Sequence, residues 1–140
     1  MKILIDTNRI IAALIRQNTT RDILLDENFE FVTPEYTITE IEEHKEELKK
    51  RTKLTGEELD ILIDLFFEFI KIIPKSQYED IIEECKTLIS DPDDAPLLAA
   101  CLAGSIECIW SHDPHFKEQQ KVKVFTNIDM LRLSGKAFSL

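Results

Sequence analysis

Asp91, Asp93 and Asp94 fall within four residues of one another, directly ahead of the apolar run "APLLAACLA". Carboxylates that close repel and raise one another's pKa values unless something neutralises them. A hard divalent cation is the natural neutraliser. Mg2+ or Mn2+ takes oxygen ligands, keeps several waters and binds through a few carboxylates plus substrate phosphate. Three more acids stand where a fold could gather them: Asp6 directly after "KILI", Asp113 two residues past "CIWS", and Glu40 about two turns into the segment after "FVT". Such a cluster could polarise a phosphate and lower the pKa of an attacking water. No Gly-rich phosphate loop, Cys/His zinc spacing or Ser–His–Asp order competes with it.

These acids need elements to place them. "KILI" (residues 2–5), "FEFVTP" (29–34), "KIIP" (71–74), "IECIWS" (106–111) and "VKVFT" (122–126) read as short buried strands. Between them the apolar spacing is helical: "TNRIIAALIRQ", then "TTRDILLDEN" with Thr19 or Thr20 as its cap, then a helix over 35–51. A long amphipathic helix follows from the capping box Thr55–Glu58, then "YEDIIEECKTLI", the run after Asp94, and a closing "NIDMLRLSG". Alternating strands and helices predict an α/β fold, a three-layer α/β/α sandwich around a parallel sheet of about five short strands. In such sheets the functional crevice lies beyond the carboxyl ends of the strands. Asp6 and Asp113 belong to that edge and Glu40 to a helix starting there. Asp94 reaches it only if its own helix begins at the same edge.

Length and composition frame the rest. The 140 residues suit one domain over 1–140, and no linker, repeat or low-complexity tract divides them. The N-terminus does not read as a signal peptide, and no stretch is long and apolar enough to span a membrane. Cys85, Cys101 and Cys108 are odd in number and lack ligand spacing, which predicts free thiols and a cytoplasmic setting. The net charge of −10 argues against broad attraction to nucleic acid. Cation binding would cancel part of it, and Lys49, Lys50, Arg51 and Lys53 offer a local basic patch for nucleic acid, with Lys117–Lys123 a weaker one.

Taken together, "LIDTN", the Glu of "TITEI", "DDAPLLAACLA" and "IWSHDPHF" resemble the PIN-domain family, which includes VapC-type toxins, in order and spacing over nearly the whole chain. PIN domains are typically Mg2+- or Mn2+-dependent ribonucleases on a parallel α/β sheet. The resemblance therefore implies an endoribonuclease with Asp6, Glu40, Asp94 and Asp113 as its catalytic acids. Asp6, Asp94 and Asp113 would hold Mg2+ or Mn2+, with Thr7, Asn8, Asp91 and Ser111 around them. It also implies an RNA substrate, a homodimer using helices within 36–70, and an antitoxin partner if the chain is a toxin. The alternative is a PIN-like module that binds RNA or protein without cutting. Pro96, the extra acids Asp91 and Asp93, and His112 beside the fourth acid depart from the usual pattern.

Several residues carry plainer readings. Asp6 could cap the first helix, and Glu43 could stand in for Glu40. His44, His112 and His115 share no spacing rule and read as surface or outer residues, and Trp110 reads as core. A phosphatase would want a second Asp where Asn8 stands. Pro96 is tolerated only in a first helical turn, which points to Asp93 as the cap and leaves Asp94 to face the cluster.

Overall fold

Lys2–Ile5 forms β1, and the three residues Ile3, Leu4 and Ile5 are fully buried. The computed structural model describes residues 1–135, so the last five residues of the expected 1–140 domain lie outside the described residues. Four more strands follow: β2 (Glu30–Pro34), β3 (Ile70–Ile73), β4 (Cys108–Trp110) and β5 (Lys123–Phe125). All pair in parallel, in the order β3-β2-β1-β4-β5.

The helices are α1 (Thr7–Ile15), α2 (Thr19–Leu24), α3 (Glu35–Glu43), α4 (Lys45–Thr52), α5 (Gly56–Phe66), α6 (Ile82–Cys85), α7 (Ala95–Ala103) and α8 (Asn127–Ser134). Successive strand side chains point to opposite faces, and the core divides accordingly. Ile3, Ile5, Phe31 and Trp110 pack under α1, α2, α4, α5 and α8. Leu4, Val32 and Ile109 pack on the other face under α7, Tyr78 and Phe116. This is the three-layer sandwich that alternation predicted. Residues Ala95–Cys101 of α7 are buried all round, so that helix lies inside its layer rather than over it.

Four local expectations change. The helix expected over 35–51 breaks at His44, whose Nδ1 lies 2.8 Å from the Glu40 carbonyl. The amphipathic helix after Thr55 stops at Phe66, because Ile70 must already pair with Phe31 in the sheet. The helix expected from Tyr78 shrinks to α6 and flanking 3-10 turns. Tyr78 is drawn into the core, where its hydroxyl accepts from the Tyr36 N–H (3.1 Å), and Thr87 Oγ1 donates to the Glu84 carbonyl (2.7 Å) just past α6. The cap of α2 is Asn18, not Thr19 or Thr20: its side chain accepts from the Arg21 N–H at 3.1 Å.

The chain winds from β1 outward through β2 to β3, then returns to the other side of β1 for β4 and β5. The winding therefore reverses between β1 and β4, the place where parallel sheets open a crevice at their carboxyl edge. A helix joining two parallel strands must run back against them. That puts the start of α7, ahead of β4, at this same edge. No helix among the described residues is long and apolar enough to cross a membrane.

Candidate metal centre

Asp6 leaves the end of β1 with a side chain only 4% exposed. Its N–H donates to the Trp110 carbonyl (3.1 Å), so the first residue past β1 is tied to β4. The carboxylate does two jobs at once. Oδ1 caps α1 by accepting from the Asn8 N–H at 3.4 Å, and Oδ2 accepts from the Ser111 hydroxyl at 2.6 Å. Ser111 in turn accepts from the Asp113 N–H (3.0 Å), linking the acids at the ends of the two central strands through one hydroxyl. Burial raises the Asp6 pKa, the Ser111 bond opposes it, and the neighbouring Asp113 charge adds to the rise.

Glu40 comes from α3 on the other side. Thr7 Oγ1 donates to Glu40 Oε1 at 2.6 Å. Thr7 Oγ1 lies 3.0 Å from Thr37 Oγ1, itself 2.9 Å from Thr33 Oγ1, which donates to the Ile5 carbonyl. This buried hydroxyl chain aims Glu40 inward, whereas Glu43 is exposed. Burial raises the Glu40 pKa, opposed by the Thr7 bond and reinforced by Asp6 and Asp93.

The opening Asp cluster resolves differently from the expected cap. Asp91, not Asp93, caps the turn: its Oδ1 accepts from the Asp93 N–H (3.0 Å) over a 3-10 turn at Pro92–Asp94. Two prolines explain this. Pro92 and Pro96 each suit a first turn, so the chain makes one short turn at Pro92 and starts α7 afresh at Ala95. Asp94 stands at the cap position of α7, but its side chain caps nothing. It is 8% exposed, and its Oδ2 is buried with no hydrogen-bond partner. Burial, then Asp113 beside it, push its pKa up to about 8.

Among the described residues, Asp91, Asp94, Asp113 and His115 offer ligand atoms that all lie within 4.8 Å of one another. Asp113 and Asp94 thus come together as expected, while Asp6 stays outside that set and reaches it through Ser111. Asp91, expected around the cluster, is in it. His115, expected as a surface or outer residue, is also in it. The signal lay in "DPH": Pro114 starts a turn, Asp113 caps it by accepting from the His115 N–H (2.9 Å), and the imidazole folds back over the carboxylate. Arg9 is a second residue that helical spacing did not single out, a cation beside Asp6 whose charge opposes that residue's rise.

Two expected groups bring no side chain to the cluster. Asn8 contributes its N–H to Asp6, but its side chain is exposed. The basic run sits at the end of α4. Lys49 pairs with Glu46 (2.9 Å) and Arg51 with Glu47 (3.9 Å), both within the same helix. The adjoining Thr52 and Leu54 line a cavity with Leu14–Gln17, beyond the far end of α1 from Asp6. Nine helical residues, about 13 Å, separate the two. A different cavity of about 390 Å3 is lined by Tyr36, Thr39, Lys75 and Pro96; Thr39 precedes Glu40 in α3 and Pro96 lies in the first turn of α7 after Asp94.

Comparison with curated proteins gives no match. Among solved structures, one similar chain comes from the crystal structure of VapBC2 from Rickettsia felis bound to a DNA fragment from their promoter. It has a TM-score of 0.72 and 17% identity, and the alignment covers 90% of this chain and 98% of that one. At that identity the likeness speaks for the fold. The sequence itself matches the PIN domain over residues 4–127, which takes in all four strand-edge acids. The chain belongs to the PIN-domain family.

Proposed function

We propose that the protein is a divalent-cation-dependent endoribonuclease. One observation carries the reading: Asp94 Oδ2 is buried, without a hydrogen bond and beside other carboxylates, at the crevice edge of a PIN fold. An unneutralised acid there costs stability, and a cation would remove that cost. The donor set is oxygen-rich and suits Mg2+ or Mn2+. Asp94 and Asp113 would hold it directly, and Asp6, tied to Asp113 through Ser111, would hold it through a water. When bound, the cation supplies positive charge to the scissile phosphate and acidity to a water.

The chain's own residues do the positioning. Ser111 fixes Asp6 by donating to Oδ2. Thr7 occupies one oxygen of Glu40 and leaves the other to orient a water and take its proton as that water attacks phosphorus and the bond to the leaving oxygen breaks. The cavity beside Tyr36 and Lys75 offers a ring and a cation to an RNA strand entering the site. Asp6→Asn and Asp113→Asn, assayed on RNA with Mg2+ and with Mn2+, should each lose at least about a hundredfold in cleavage with the fold retained. Cleavage at the parent rate by both variants refutes the reading and leaves a non-cutting RNA- or protein-binding module.

A toxin role extends the same reading. The exposed Ile61 and Leu65 of α5 border the apolar cavity at the end of α1. An antitoxin-type protein partner would cover them, as the VapBC likeness suggests. Three buried free thiols support a cytoplasmic setting. Light scattering of the chain alone, and with the product of the adjacent gene, checks the homodimer and the partner together.

A further inference from the structure

We propose that Asp91, Asp94, Asp113 and His115 form a mixed carboxylate–imidazole position that takes a first-row transition ion in preference to Mg2+. This position is offset from Asp6 and Glu40. His115 Nδ1 lies 3.0 Å from Asp113 Oδ1, 3.4 Å from Asp94 Oδ2 and 3.8 Å from Asp91 Oδ2. Ligand bonds of about 2.0–2.2 Å put neighbouring donors about 3.0–3.5 Å apart around an ion. The observed spacings cluster around that range. They do not represent hydrogen bonds made by the ring nitrogen: His115 Nδ1 and Asp94 Oδ2 are both buried and both without such a partner. Asp94 is 8% exposed, so its bare oxygen cannot turn to solvent instead.

The backbone has already fixed two of these groups and the turns that carry the other two. Asp91 and Asp113 each cap a 3-10 turn with one oxygen. The two loops are tied to each other, since the Ser90 hydroxyl and N–H both donate to Glu118 Oε1, at 2.8 and 3.2 Å. Little ordering is left to be done on binding. The imidazole sets the selectivity: Mg2+ keeps to oxygen, whereas nitrogen donors suit Co2+, Zn2+ and Fe2+, and Mn2+ accepts both.

This inference shares Asp94 and Asp113 with the nuclease reading but neither His115 nor Asp91. It is tested on the full chain stripped with chelator, by calorimetric titration with Co2+, Mn2+ and Mg2+. The parent should bind Co2+ and Mn2+ at least about tenfold more tightly than Mg2+. His115→Ala and His115→Gln should each lose about tenfold or more for Co2+ and Mn2+ and little for Mg2+, closing the gap. Bound Mn2+ should also show nitrogen hyperfine coupling in its electron spin-echo spectrum, absent in His115→Gln. Equal Co2+ and Mg2+ affinity in the parent, or nitrogen coupling that survives His115→Gln, overturns the inference. Both results are independent of whether RNA is cut, so this site and the nuclease reading can fail separately.

Discussion

Thr7 shows how much one hydroxyl can decide. It donates to Glu40 at 2.6 Å, and Thr37 lies behind it at 3.0 Å, so Glu40 is aimed by a residue from another helix. Thr7→Val keeps the volume and removes the donor. RNA cleavage should fall about tenfold with kcat, not KM, carrying the loss, which steady-state kinetics will read. Asp94 offers the opposite case, a residue the fold would be better without. Its pKa is pushed up to about 8 by burial and then by Asp113. Asp94→Asn should therefore raise the melting temperature of the chelator-treated protein at about pH 8 by several degrees, on the order of 1 kcal/mol. It should also abolish the stabilisation by added Mn2+. A lower melting temperature would show that Asp94 supports the fold through contacts rather than straining it through charge.

At the scale of elements, the edge that carries the acids is held by amides. Gln119, 7% exposed, donates to the Phe116 and Val122 carbonyls at 2.6 and 2.9 Å. It also accepts from the Lys121 and Val122 N–H groups, both at 2.9 Å. It thereby closes the loop from β4 to β5, whose first turn contains Asp113 and His115. Asn127 plays the matching part at the start of α8. It accepts from the Trp110 indole (2.9 Å) and donates to Thr20 (2.9 Å), binding β4, α8 and α2 together. Asn127→Ala leaves a buried indole N–H unpaired, a cost of about 1–3 kcal/mol. Denaturant unfolding should show that loss with an unchanged m value. Gln119→Ala should cost a similar amount and weaken Mn2+ binding as well, because its loop carries two of the proposed ligands.

For the whole molecule the governing quantity is charge. The chain carries a formal −10, and Asp6, Glu40 and Asp94 are acids whose folded pKa values are raised chiefly by burial. A carboxyl with a folded pKa above its unfolded value makes the folded state the better proton binder, so the stability it contributes is lost as pH rises. For Asp94 that window runs from its ordinary 3.8 to about 8. Without cation, the melting temperature should decline steadily from about pH 5 to about pH 8. Millimolar Mn2+ should flatten the decline, because the cation takes the place of the protons. A scan that stays level in chelator would show that these carboxyls are already compensated by other groups.

The sequence by itself determined the layers. "KILI" alternates Ile3 and Ile5 against Leu4, and that period alone assigns residues to two core faces. Strand-then-helix order implied a parallel sheet, and with it that Asp6 and Asp113 share an edge. Asp94 needed more than that logic: several short turns and α6 separate β3 from α7, and only the tertiary structure shows that α7 begins at the same edge. Packing decided what local pattern could not. Helical spacing runs on through Phe69, but the sheet claims Ile70, and Tyr78 is drawn into the core to meet the Tyr36 N–H. Asp91 took the cap because two prolines divide the acids between two turns. His115 joined Asp94 through the turn at Pro114 that folds its ring back over the acids, and Lys49–Lys53 went to the far end of α1. Spacing along a chain fixes which face a residue serves. Which side chains from separate loops share one small volume depends on how those loops close over the core, and only the tertiary structure decides that.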